Sequence, residues 1–232
     1  MRRKARWGFV VPLAAVMLGL ILTAGSPVLA AVKESDRTEA WEFLIPIRYL
    51  SGQKLDFDHG TSVDLHDDLG WGFGFGYNFN EHMNLDFEFG WTSANYTVKW
   101  ASADTPALPP VEATGYLDVS TTQINFTYNF MPKTVTPYIS AGIGWNWFDT
   151  NIPVGPPQTG CWWDPWYGYI CQTFTDTASG SGFSYGFGAG VRIEPKDSFF
   201  IRLGLNDNWQ DLGSYNSSPD FLSYRLDMGW KF

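Results

Sequence analysis

The stretch from Leu222 to the C-terminal Phe232 restricts the fold of this chain more than any other. Leu222, Tyr224, Leu226, Met228, Trp230 and Phe232 alternate without a break with Ser223, Arg225, Asp227, Gly229 and Lys231. Period two places the first set on one face of a strand and the second on the other. A strand half-buried in a soluble core can show this pattern, but it rarely ends a chain on an aromatic residue. A strand in a barrel that crosses a bilayer has to show it, because one face meets lipid and the other the lumen.

The same alternation recurs in seven further segments. They are 41–50, 70–79, 83–92, 123–130, 138–147, 183–193 and 199–206. In the second, Trp71, Phe73, Phe75, Tyr77 and Phe79 alternate with Gly70, Gly72, Gly74, Gly76 and Asn78. Each segment is about ten residues long, the length a tilted strand needs to span the hydrocarbon. The connections alternate as well. Those at 80–82, 131–136 and 194–198 are short, and those at 51–68, 94–118, 148–182 and 210–220 are long. Short turns on one side and long loops on the other, with both termini on the short side, define an up-and-down barrel. The expected fold is therefore all-β, an eight-stranded antiparallel transmembrane β-barrel with short periplasmic turns and long outer loops. An even strand number closes the sheet and leaves no unpaired edge in lipid. Pro46 cannot donate a ladder hydrogen bond, so a bulge is expected there.

The N-terminus agrees. Arg2, Arg3, Lys4 and Arg6 precede an apolar run from Trp7 to about Leu22 and a small-residue site at Val28-Leu29-Ala30. This is the layout of a secretory signal peptide over 1–30. Residues 31–39 read as a charged periplasmic lead-in, and 40–232 as the barrel. Loss of the four leader cations leaves 11 Lys+Arg against 24 Asp+Glu, a net charge of −13. That balance excludes nucleic acid as a partner, since phosphates need a basic surface.

These features together resemble the small outer-membrane barrels of the OmpA, OmpX and OmpW kind, over essentially the whole mature chain. The resemblance implies a location in the bacterial outer membrane and contact with its lipid and lipopolysaccharide. The terminal Tyr224, Trp230 and Phe232 resemble the signal read by the barrel-assembly machinery. The superfamily holds anchors, adhesins, channels for small hydrophobic solutes and lipid-modifying enzymes, so the fold does not choose among them.

The inward set of the alternation contains Glu42, Arg48, Asp86, Glu88, Arg192, Arg202, Arg225, Asp227 and Lys231. An eight-stranded barrel has an interior just wide enough for side chains to fill. Unpaired charge in such a space is costly, so a plug of ion pairs is expected. The competing reading is a selectivity ring around a pore.

Cys161 and Cys171 bracket Trp162, Trp163, Trp166, Tyr167 and Tyr169 in the third long loop. An even cysteine count in an exported chain favours a disulfide over a metal site, for which no histidine lies near. The aromatics read either as an interfacial anchor or as a patch for a ligand or partner. In the first long loop, His59 and Ser62, with Asp58, resemble a nucleophile and base, and His66 lies nearby. They are close in sequence on one loop rather than aligned on rigid strands. The acidic residues of that loop, Asp56 to Asp68, read as solvated or as Ca²⁺ ligands.

The expectation is a monomeric barrel without enzymatic activity, cofactor or resident metal, acting through its outer loops. The alternative is a channel for a small hydrophobic ligand, with Trp71, Trp91, Trp145 or Trp147 turned inward to line a mouth. A second alternative is a lipid A-modifying enzyme.

Overall fold

The computed structural model describes residues 33–56, 62–100, 111–210 and 220–232, so the signal-peptide segment 1–30 and His59 lie outside the described residues. The strands are β1 (Trp41–Leu50), β2 (Gln53–Asp56), β3 (Ser62–Leu65), β4 (Asp68–Asn78), β5 (Met83–Trp100), β6 (Val111–Asn129), β7 (Val135–Pro153), β8 (Gln158–Asp164), β9 (Gly168–Phe174), β10 (Thr177–Lys196), β11 (Phe199–Gln210) and β12 (Asp220–Lys231). Eight of them form a closed antiparallel barrel in the order β5-β4-β1-β12-β11-β10-β7-β6, and pairing of β6 with β5 closes the ring. The chain ends meet at the seam, where Trp41 and Phe232 exchange backbone hydrogen bonds at 3.0 Å in both directions.

Period two sets the two faces. The polar positions Glu42, Asn78, Asp86, Asn125 and Asp227 are buried, while Trp71, Ile124, Ile143, Phe187 and Leu203 are exposed. In a membrane-spanning wall that inversion of the soluble rule is the expected one, because the outer face meets hydrocarbon. Aromatic rings mark both rims. Trp41–Tyr77, Tyr77–Phe79 and Phe199–Trp230 lie within 5.0–5.5 Å at the periplasmic end. Trp71–Trp91, Tyr185–Trp209 and Tyr49–Tyr224 lie within 5.4–6.2 Å towards the outer end. These rings sit where interfacial girdles belong, with Ile, Leu, Val, Ala and Phe between them.

The structure corrects three expectations. Most of the long outer loops are strand: β5, β6, β7 and β10 run 18, 19, 19 and 20 residues, well beyond a bilayer crossing. The short hairpin β2–β3 extends the sheet by pairing with the outer part of β5. Pro46 makes no bulge. Its pairing with β12 is continuous from Glu42↔Lys231 to Leu50↔Ser223, and pairing with β4 lapses only at residues 45–46 before resuming in register. The missing N–H costs ladder contacts locally and leaves the register intact. Glu194, expected in a turn, lies in β10 with its side chain buried.

Candidate functional site

The lumen holds two charged clusters with an aromatic ring between them. Near the periplasmic end, Arg192 donates to Glu42 at 2.5 and 3.2 Å and to Glu194 at 2.7 Å. Asn78 and Asn84 donate to the Glu42 carboxylate at 2.7 and 3.3 Å. Glu194 also accepts from Lys231 at 2.8 Å, Arg37 at 3.0 Å and Ser35 at 2.5 Å. Further out, Arg202 bridges Asp86 at 3.2 Å and Asp227 at 2.9 Å. Arg225 reaches Asp227 at 2.7 Å and pairs with Glu88, which Arg48 also binds. Asn125 donates to Asp86 at 2.8 Å. Phe200, fully buried, stands between the clusters, with the Arg192 guanidinium 4.0 Å and the Arg202 guanidinium 5.6 Å from its ring centre.

Glycines of neighbouring strands leave room for some of these side chains: Gly74 lies against Glu88, Gly76 against Asp86 and Gly90 near Arg48. At Gly229 a methyl group would strike the Phe200 ring. Buried this deeply, charges persist only when paired and hydrogen-bonded.

Two members were not foreseen. Glu194 continues the even-numbered inward row Ser184…Arg192, so period two carried the signal one step further than the expected strand end. Arg37 belongs to the lead-in, which folds across the periplasmic mouth. Ser35 N–H donates to Pro132 O at 3.1 Å, and Thr134 N–H donates to Lys33 O at 2.9 Å. Arg37 then enters the mouth and donates to the carbonyls of Glu81 and Met131 at 2.6 Å and of Lys133 at 3.2 Å. Nothing in the spacing of 33–39 distinguishes this buried arginine from a solvated one.

Above the charges, buried polar side chains (Gln123, Asn146, Ser184 and Asn206) share the interior with an apolar cluster. Leu65, Ala94, Tyr96 and Phe221 are buried together, with Leu50, Val63, Val98 and Leu117 against them. Trp71, Trp91, Trp145 and Trp147 all face outward instead. The mouth lined by those four residues is therefore not formed.

Beyond the rim, β8 and β9 form a separate two-stranded ribbon. Cys161 and Cys171 lie opposite one another in it and are disulfide-bonded. Asp164 accepts from the backbone N–H groups of Trp166 and Tyr167 at 2.8 and 2.9 Å, which shapes the turn. Trp163, Trp166, Tyr167 and Tyr169 project into solvent there, Trp166 being 87% exposed, and Trp162 is less so. In the first outer segment Tyr49 donates to Asp67 at 2.7 Å, and the Gly52 N–H donates to the same carboxylate at 2.7 Å. Those bonds hold Asp67 below the usual carboxylate range. His66 meets Thr97 at 3.2 Å, and Ser62 lies opposite Lys99 in the sheet.

A closed barrel with an apolar belt, two aromatic rims and a polar lumen defines an integral outer-membrane protein. The family model described as outer membrane protein beta-barrel domain matches residues 21–232, and the chain belongs to that family. No curated protein sequence matches it. Among solved structures it is similar to OprG of Pseudomonas aeruginosa, at 10% identity and TM-score 0.51, over 86% of this chain and 99% of that one. It is also similar to the attachment invasion locus protein Ail of Yersinia pestis, at 14% identity and TM-score 0.47, over 84% and 99%. The N-terminal barrel of Pseudomonas aeruginosa OprF aligns at 16% identity and TM-score 0.38, over 82% and 97%. At such identities likeness speaks for the fold and not for a shared ligand.

Proposed function

We propose that this is a monomeric, non-conducting outer-membrane barrel that acts through its outer wall and disulfide-closed ribbon. The carrying observation is the pair of buried ion-pair clusters filling the lumen around Phe200. A hydrated ion would have to break several charge-assisted hydrogen bonds in succession, each worth about 1.5–3 kcal/mol. The apolar cluster at the outer mouth and the lead-in at the periplasmic mouth support closure from both ends. Tyr224 and Trp230 on β12, and Phe232 just past its end, are exposed, which is compatible with their serving as a signal for the assembly machinery.

Liposome swelling tests the reading. Folded protein should admit small sugars no faster than empty liposomes do. Size-dependent swelling would reverse it in favour of a solute path.

A further inference from the structure

The lead-in touches every turn that borders the periplasmic mouth. Taken in ring order, the strands leave four junctions at that end: the β4–β5 turn, the β6–β7 turn, the β10–β11 turn and the seam where β12 meets β1. The seam is two junctions from the β6–β7 turn in either direction, so the two lie on opposite sides of the mouth. The lead-in joins them. Next to the β6–β7 turn, Glu34 pairs antiparallel with Lys133, Ser35 N–H donates to Pro132 O, and Thr134 N–H donates to Lys33 O. Between the two sides, Arg37 donates to the Glu81 carbonyl on one flank and to the Glu194 carboxylate on the other. Lys33 adds an ion pair at 2.8 Å with Asp197 in the β10–β11 turn.

The backbone bends sharply where the lead-in meets the wall. Ala40 N–H donates to Arg37 O at 3.2 Å, and Glu39 adopts a φ of 55°. A residue with a Cβ holds that left-handed conformation only where its surroundings impose it. Here Trp41 is tied into the seam on one side and Arg37 is fully buried on the other.

The partners of Arg37 come from three hairpins, and only a ring brings them within its reach. β1 and β12 are neighbours in the ring but the first and last strands in the chain, so their pairing turns a sheet into a barrel. In an open sheet β10 lies five strand spacings from β1, roughly 24 Å. The four residues from Trp41 to Arg37 span at most about 14 Å. From this geometry we infer that the lead-in is a clasp that docks once the barrel has closed and then slows its opening. Contacts made after the folding transition state act on the unfolding rate and leave the folding rate alone. The clasp goes beyond the surface role proposed above and does not depend on a non-conducting lumen.

Folding and unfolding rates in lipid vesicles, followed by heat-shifted gel mobility, test the inference. Arg37→Ala should unfold in urea about ten- to hundredfold faster than wild type, while folding within about twofold of it. Ser35→Pro removes one backbone donor and one hydroxyl without changing any charge. It should unfold faster by a smaller factor, again with folding unaltered. Trypsin should spare the Arg37–Thr38 bond in the folded wild type and cut it in Ser35→Pro, and the cut barrel should keep its heat-shifted mobility. Wild-type unfolding rates in both variants, or folding slowed as much as unfolding is accelerated, would overturn the inference. Loss of the heat-shifted band in both variants, or on cleavage after Arg37, would make the lead-in part of the wall and overturn it too.

Discussion

Replacing Glu194 by glutamine should destabilise the barrel by about 3 kcal/mol, at the low end of what breaking a buried ion pair costs. Glu194 holds Arg37, Arg192 and Lys231 at 2.7–3.0 Å, with its side chain 1% exposed. The periplasmic cluster has three cations, Arg37, Arg192 and Lys231, against the two anions Glu42 and Glu194. The substitution therefore raises its net charge from +1 to +2. Arg192 keeps Glu42, and Arg37 keeps three backbone carbonyls. Arg37 and Lys231 both lose this counter-charge, but Arg37 keeps its carbonyl acceptors, so Lys231 carries most of the penalty. Adding Lys231→Met restores the charge to +1 and should recover at least about 1 kcal/mol, a coupling that a double-mutant cycle reads directly. With a urea slope of roughly 2 kcal/mol/M, the single variant shifts the midpoint down by about 1.5 M. The assay is urea unfolding in lipid vesicles, followed by heat-shifted gel mobility. A single variant within about 0.5 kcal/mol of wild type, or a double variant no better than the single, would refute the reasoning.

Gly229→Ala drives a methyl group into the Phe200 ring, which is pinned against Arg192, and should cost about 1–3 kcal/mol in the same assay. Reduction of Cys161–Cys171 should leave the barrel's heat-shifted mobility unchanged, because the ribbon is a separate sheet, while making β8–β9 sensitive to protease. Asp67 is held below its ordinary pKa of 3.8 by Tyr49 and the Gly52 N–H, so its stabilisation of the outer turn is present above that value and fades as pH falls through the lowered one. Tyr49→Phe should bring the Asp67 titration up towards 3.8, as read by carboxyl NMR chemical shifts.

The barrel was legible in the sequence because lipid enforces period two with few exceptions. Trp71 to Phe79 and Leu222 to Phe232 sort onto their faces without an error. The outer strand extensions were hidden because the rule reverses once the wall leaves the membrane. On β5 the inward row becomes Ala94, Tyr96 and Val98, and the outward row Ser93, Asn95 and Thr97, since water now lies outside. Read in a single phase, that stretch looks like loop. Pro46 gave a misleading signal, as a local loss of pairing absorbed it without a bulge. The inward charges were readable one by one, but their partners were not. Glu88 with Arg225 and Glu42 with Arg192 are long-range pairs that only the strand order determines. Arg37 was illegible, because its burial depends on a lead-in with no periodicity of its own.

Single-channel recording of the folded protein in planar bilayers tests the closed lumen most directly, with heat-shifted mobility establishing that the sample is folded. The paired clusters around Phe200 predict a silent membrane at physiological salt. Reproducible discrete steps that change with Arg202→Ala or Arg225→Ala would contradict closure, because the current would then run through the network said to block it.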